Sequence, residues 1–146
     1  MNDNRIGQIA ENIFLILPLI KKKLMRHEGF ALGEDLSTTH FQILFLLLEY
    51  GEMSVTEMAN SLEISKTNIT QPIQKLIDKR YLKRIHSEDD RRYINIKLTA
   101  EGRDFLEEYK GCLANSLEEK LSGLQQSELD TLAQLLSSMK SIIAKI

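Results

Sequence analysis

Residues 54–99 read SVTEMANSLEISKTNITQPIQKLIDKRYLKRIHSEDDRRYINIKLT. The first half predicts two short amphipathic helices. Ser54-x-x-Glu57 has the pattern of a capping box and opens a helix over 55–62. After a tight turn at 62–65, Ser65 caps a second helix over 66–80, with Ile69, Ile73, Leu76 and Ile77 recurring at helical spacing. The second half predicts a hairpin, with strands over 81–86 and 93–98 and a turn that begins at 87–90. In its second strand Ile94, Ile96 and Leu98 point inward, and Tyr93, Asn95 and Lys97 point outward. A helix–turn–helix followed by a two-stranded wing is the shape around which the rest of the chain is read.

Charge is concentrated on the same stretch. From Lys66 to Lys97 there are nine Lys/Arg and four Asp/Glu, a local charge of +5. The remaining residues hold ten basic and seventeen acidic groups, or −7, within a formal net charge of −2. A mildly acidic chain that gathers its positive charge on one segment carries the electrostatic footprint of a phosphate-binding face. Ser65 and the outward face of the second helix (Lys66, Thr67, Asn68, Thr70, Gln71, Gln74 and Lys75) supply the donors and acceptors that read base edges and hold phosphates. Arg91 and Arg92 fall near the hairpin tip, where a cation suits a narrow minor groove. Lys79, Arg80, Lys83 and Arg84 divide between phosphate contacts and ion pairs within the lobe, in a way that sequence does not sort. Pro72 lacks an amide hydrogen and disfavours a helix interior. A helix starting at Pro72 is the alternative. The longer one, bent at Pro72, is preferred because the inward periodicity continues on both sides.

Working outward, residues 6–26 predict a helix that is apolar nearly all round at Ile13–Leu19, kinked at Pro18 and closed by a solvated Lys21, Lys22, Lys23 and Arg26 end. Such a helix needs cover on more than one side, which a second copy of the chain supplies. A loop follows over 29–36, then a helix over 41–50 with Thr39 and Gln42 as its capping box and Gly51 as its stop. Beyond the wing, Thr99 caps a helix over 100–121. A last helix opens at Ser127 and Asp130, and its Leu129, Leu132, Leu136, Met139, Ile143 and Ile146 form a coiled-coil-like seam suited to pairing. The fold class expected is mostly α with a small β-wing. One domain over 1–146 divides into dimerisation helices and loop at 6–36 and 100–146 and a winged helix-turn-helix lobe at 37–99.

At 146 residues the chain is sized for one domain. A lone Cys112 excludes an internal disulfide, suits a reducing cytoplasm and reads as a small core residue. The longest apolar run is too short for a bilayer span, and the polar start does not resemble a secretory signal. A phosphate-cradling glycine loop, a nucleophile elbow and a His/carboxylate cluster are all missing from the sequence, so neither an enzyme nor a cofactor is expected. His27, His40 and His86 lie far apart without the spacing of a metal site. His40, opening the second helix, is a ligand-contact candidate. The alternative to DNA binding is a winged-helix module for an acidic protein partner, and a steep salt dependence would separate the two.

Along nearly its whole length the chain resembles the multiple-antibiotic-resistance regulator (MarR) family. The resemblance is carried by Asp90-Arg91-Arg92-Tyr93-Ile94-Asn95-Ile96-Lys97-Leu98-Thr99, by Gly102, by the Leu62–Ser65 turn and by Ile69-Thr70-Gln71-Pro72. A proline inside the recognition helix is common in that family. The resemblance implies a homodimer with its first and last helices interleaved, bound to a double-stranded pseudo-palindromic operator. It also implies that Arg92 and Arg91 enter the minor groove with Asp90 bracing them. Repression relieved by a small amphipathic or phenolic effector follows from it too. The peroxide-sensing members use a cysteine near the start of the chain, which this sequence lacks.

Overall fold

The computed structural model describes residues 3–26 and 32–146. The elements are α1 (Asp3–Lys23), α2 (Thr38–Tyr50), β1 (Glu52–Met53), α3 (Val55–Ser61), α4 (Lys66–Asp78), β2 (Leu82–His86), β3 (Ile94–Leu98), α5 (Ala100–Leu121) and α6 (Gln126–Ile143). Two compact units divide the chain. One is Phe30–Cys112; the other joins Met1–Gly29 to Leu113–Ile146. The first part of the 29–36 loop and His27 lie outside the described residues.

In the Phe30–Cys112 unit, helix ends are set by local polar groups. The Ser54–Glu57 box forms as expected. The Ser54 N–H donates to Glu57 Oε2 at 2.7 Å, and the Glu57 N–H donates to Ser54 Oγ at 3.1 Å. Ser65 Oγ likewise accepts the Asn68 N–H at 3.2 Å and starts α4. The turn between them places Glu63 at φ +54°. The start of α2 corrects the Thr39–Gln42 expectation. The cap is Ser37, in extended backbone, and its N–H donates to His40 Nδ1 at 2.9 Å. An imidazole at the third helical position does the work usually done by Glu or Gln. Gly51 ends α2 at φ +84°, which a Cβ would resist.

The sheet has the order β1-β3-β2 and is antiparallel throughout, with Leu82 opposite Leu98 and Arg84 opposite Ile96. Strand β1 was not expected. It is two residues long and exists because the free edge of β3 accepts Glu52 opposite Lys97 and Met53 opposite Ile96. Ile43, Leu44 and Leu47 of α2, Met58 and Ala59 of α3, and Ile69, Ile73 and Leu76 of α4 bury their side chains together. Leu82, Ile96 and Leu98 close this core from the sheet, and Phe105 and Leu106 close it from α5. Ile94 departs from its inward reading and is half exposed. It pairs with His86 at the free end of the hairpin.

The first turns of α5 belong to this core, so the compact unit reaches Cys112. Thr99 Oγ1 donates to the carbonyls of Arg80 and Tyr81 and accepts the Gly102 N–H at 2.9 Å. A Cβ at Gly102 would sit 2.2 Å from the Tyr81 carbonyl oxygen, so only glycine permits this approach.

In the other unit, α1 runs unbroken through Pro18 and ends at Lys23. Helix α6 starts two residues before the expected Ser127–Asp130 box. Gln125 is its cap, with the Gln125 N–H donating to Glu128 Oε2 at 2.9 Å. A groove of about 630 Å³ between α1 and α6 is lined by apolar side chains including Leu15, Leu19, Leu135 and Met139. Ile6, Phe14 and Leu17 of α1 and Ile142 and Ile143 of α6 are exposed, Phe14 to 79 %. Among the described residues no helix is long and apolar enough to cross a membrane.

Candidate nucleic-acid interface

Helix α4 buries Ile69, Ile73 and Leu76, which turns its opposite face out of the lobe. Half-buried Pro72 lies inside α4, which passes through it without ending although the proline gives up one backbone hydrogen bond, that to the Asn68 carbonyl. The polar face is not uniform. Thr70 Oγ1 donates back to the Lys66 carbonyl at 2.6 Å. Gln74 Nε2 donates to Asp78 Oδ1 at 2.8 Å, while Gln74 Oε1 accepts from Arg84 at 2.7 Å. Lys75 Nζ donates to the backbone carbonyl of Asp35 at 2.5 Å. Among the described residues the side chains of Lys66, Thr67, Asn68 and Gln71 have no partner. They stand exposed on the first two turns.

The wing tip is a compact polar turn. Ser87 N–H donates to the Tyr93 carbonyl at 2.9 Å and Tyr93 N–H to the Asp90 carbonyl at 3.0 Å. Asp90 accepts the Arg92 N–H at 3.0 Å and also grips the Arg92 guanidinium, with Nε at 3.0 and 3.1 Å and the terminal nitrogen at 2.6 Å. The hydrogen bonds from Arg92 hold the Asp90 carboxyl below the usual carboxylate range and push the guanidinium up. Among the described residues every contact of the Asp90 carboxylate goes to Arg92 and none to Arg91, so the bracing expected for both arginines is seen for Arg92 alone. Instead His86 Nδ1–H donates to the Arg91 carbonyl at 3.0 Å, and the Arg91 side chain is free among the described residues.

Along α4, a groove of about 480 Å³ is lined by His40, Gln71, Pro72, Gln74, Lys75 and Asp78. His40 is buried, and its Nε2 has no partner among the described residues. Burial pushes the imidazole pKa down; Lys75 and, more weakly, Lys79 add to this, against an opposing pull from Asp35. Asp35 pairs with Lys79 at 2.7 Å and Lys75 at 3.7 Å. The Lys79 hydrogen bond lowers the Asp35 pKa, and the same bond raises that of Lys79. Sequence reasoning missed the Asp35 and Arg84 ties to α4. Arg84 was legible in principle, since it stands two residues beyond inward-facing Leu82. Asp35 was not, being forty residues from Lys75. Among the described residues no group of three His, Cys, Asp or Glu is arranged to hold a metal.

Comparison with known proteins places this lobe among relatives. The MarR family model matches residues 34–92. The HTH-type transcriptional regulator YpoP of Bacillus subtilis is 30% identical over 90% of this chain and 94% of its own length. The HTH-type transcriptional repressor YetL of the same organism is 30% identical over 87% of this chain and 78% of its own. The crystal structure of the transcriptional regulator BldR from Sulfolobus solfataricus superposes with a TM-score of 0.62 at 27% identity, covering 99% of this chain and 97% of that one. With the wing and helix pair in place, the family model matched across the lobe and a 30% identical relative matched over 94% of its length, the chain belongs to the MarR family.

Proposed function

We propose that this protein is a homodimeric, sequence-specific DNA-binding transcriptional regulator that acts as a repressor and is released by a small amphipathic or phenolic effector. One observation carries the DNA-binding reading. The Phe30–Cys112 unit presents the side chains of Lys66, Thr67, Asn68 and Gln71 on α4, partner-free among the described residues, and the cationic Arg91–Arg92 tip on one segment of local charge +5. In this reading the α4 face with Ser65, Lys66, Thr67, Asn68, Thr70, Gln71, Gln74 and Lys75 lies along the major groove. Arg91 and Arg92 reach the adjacent minor groove. Repression takes support from YetL, which is a repressor. The effector is an expectation from the family. The protein works as a binder rather than an enzyme, in the cytoplasm where its DNA lies.

The exposed apolar faces of α1 and α6 support the dimer. An area of that kind, far beyond isolated surface residues, calls for a partner, and a second copy has the matching face. The helices within 6–36 and 100–146 would pair, and the lobe at 37–99, closed by the first turns of α5, would be presented twice. A two-fold protein reads a pseudo-palindrome. Selection of duplexes from a randomised pool by the full chain, followed by footprinting, is the test. Two inverted half-sites about one helical turn, roughly 10 base pairs, apart are expected. Failure to enrich any duplex would favour a protein-interaction module.

A further inference from the structure

Gln74 lies on the face assigned above to DNA, yet both polar ends of its amide are used inside the lobe. Oε1 accepts from Arg84 at 2.7 Å, and Nε2 donates to Asp78 at 2.8 Å one turn along α4. A glutamine that reads adenine must offer its donor and acceptor together to one base edge. Gln74 has both ends already tied inside the lobe and its amide plane set by those ties, whereas Gln71 is exposed with its amide free among the described residues. Asp78 and Arg84 also act on Gln74 in the same sense. The carboxylate polarises the amide N–H, and the amide oxygen becomes a better acceptor for the guanidinium.

The strand register explains why Arg84 can reach. Residues two apart on a strand share a face, and Leu82 is buried beneath α4. Arg84 therefore leaves β2 on the same side, opposite buried Ile96, and extends past the rim of the core to the third turn of α4. Two residues further on, His86 holds the Arg91 carbonyl at 3.0 Å. One continuous line of contacts thus joins α4 to the wing tip.

We infer that Gln74 and Arg84 form a brace fixing the wing against the recognition helix. Gln74 is then a positioning residue rather than a base reader, and Arg84 is directed at α4 rather than at a phosphate. The inference rests on the DNA-binding reading above. A helix and a wing held at a fixed angle engage two grooves as one bivalent unit, and a loosened angle lowers the effective concentration of the second contact.

Two double-mutant cycles on the full chain test this. In denaturant unfolding without DNA, Gln74→Ala and Arg84→Met should be non-additive, with the double variant no less stable than the weaker single. Additive losses would overturn the tie. On a duplex enriched from a randomised pool, each single variant should weaken binding by about three- to tenfold, the size of one such hydrogen bond, with no further loss in the double. Arg91→Ala should cost less in the Gln74→Ala background than alone, and discrimination among single-base variants of the duplex should persist. Flattened discrimination at one base pair in Gln74→Ala would make Gln74 a reader and overturn the inference. So would a salt slope lowered by about one in Arg84→Met but unchanged in Gln74→Ala, the mark of a phosphate contact. If no duplex is enriched, the DNA-binding reading fails and takes the brace's role with it. A non-additive unfolding cycle would then leave the tie as purely structural.

Discussion

Asp90 grips the guanidinium of Arg92 with both carboxylate oxygens, at 2.6–3.1 Å, while Arg91 beside it is held only through its carbonyl. The two arginines at the wing tip are therefore not equivalent. Arg92 is pre-oriented and partly neutralised, and Arg91 is a free cation. Because Arg92 holds the Asp90 carboxyl below its ordinary range, the clasp is present above that lowered pKa and lost only as pH falls through it.

Arg91→Ala combined with Arg92→Ala should weaken binding to the enriched duplex by at least about tenfold. Arg91→Ala alone should lower the salt slope more than Arg92→Ala alone, since Asp90 already offsets Arg92. Fluorescence anisotropy at several salt concentrations reads both. Unchanged affinity in the double variant would remove the wing from the interface.

The paired-helix proposal makes a stronger demand. Phe14→Asp with Leu135→Asp places charges on both exposed apolar faces and deprives each protomer of about 3 kcal/mol or more of apolar burial. Light scattering at micromolar concentration should show a dimer for the natural chain and a monomer for the variant. A natural chain that is a stable, folded monomer at that concentration would refute the pairing.

Gly102→Ala should destabilise the lobe by about 1–3 kcal/mol, because the added methyl group meets the Tyr81 carbonyl and the Leu98 side chain at the start of α5. Thermal unfolding reads this as a lowered Tm. An unchanged Tm would mean that α5 can lift from Tyr81 without loss.

His40 gives a pH dependence whose sign follows from its lowered pKa. The unfolded chain binds the proton more readily, so stability is full above the ordinary histidine pKa and falls as pH drops through the lowered folded value. Protonation also turns Nδ1 from acceptor to donor and breaks the Ser37 cap. His40→Gln keeps an acceptor of the ordinary capping-box type and has nothing to titrate. Urea unfolding across that window should show a smaller loss of stability on acidification in the variant than in the natural chain. Equal slopes would place the titration elsewhere.

What was legible in the sequence was local. The Ser54–Glu57 and Ser65 caps, the run of α4 through Pro72 and the alternation into Ile96 and Leu98 are set by neighbours within a few residues, and the structure has them as read. Strand β1 has two residues and no period of its own, so only the edge of β3 reveals it. The caps of α2 and α6 were misplaced because several Ser, Thr and Gln residues compete within a few positions, and because a histidine seldom fills the role His40 takes. On the interface, residue type, helical face and the side on which Arg84 leaves its strand were readable, but the hydrogen-bond partners were not. The ties that engage Gln74 and Lys75 come from Arg84 and Asp35, ten and forty residues away, brought together only by the packed lobe.

The most direct test of the central claim is an anisotropy titration of the full chain with the enriched duplex and with a scrambled duplex of the same composition, at two salt concentrations. Specific readout through α4 and the wing should give a large preference for the enriched duplex that persists at the higher salt, while binding to both falls as salt rises. Weak, equal binding to the two duplexes that disappears at the higher salt would contradict it, leaving only a basic patch.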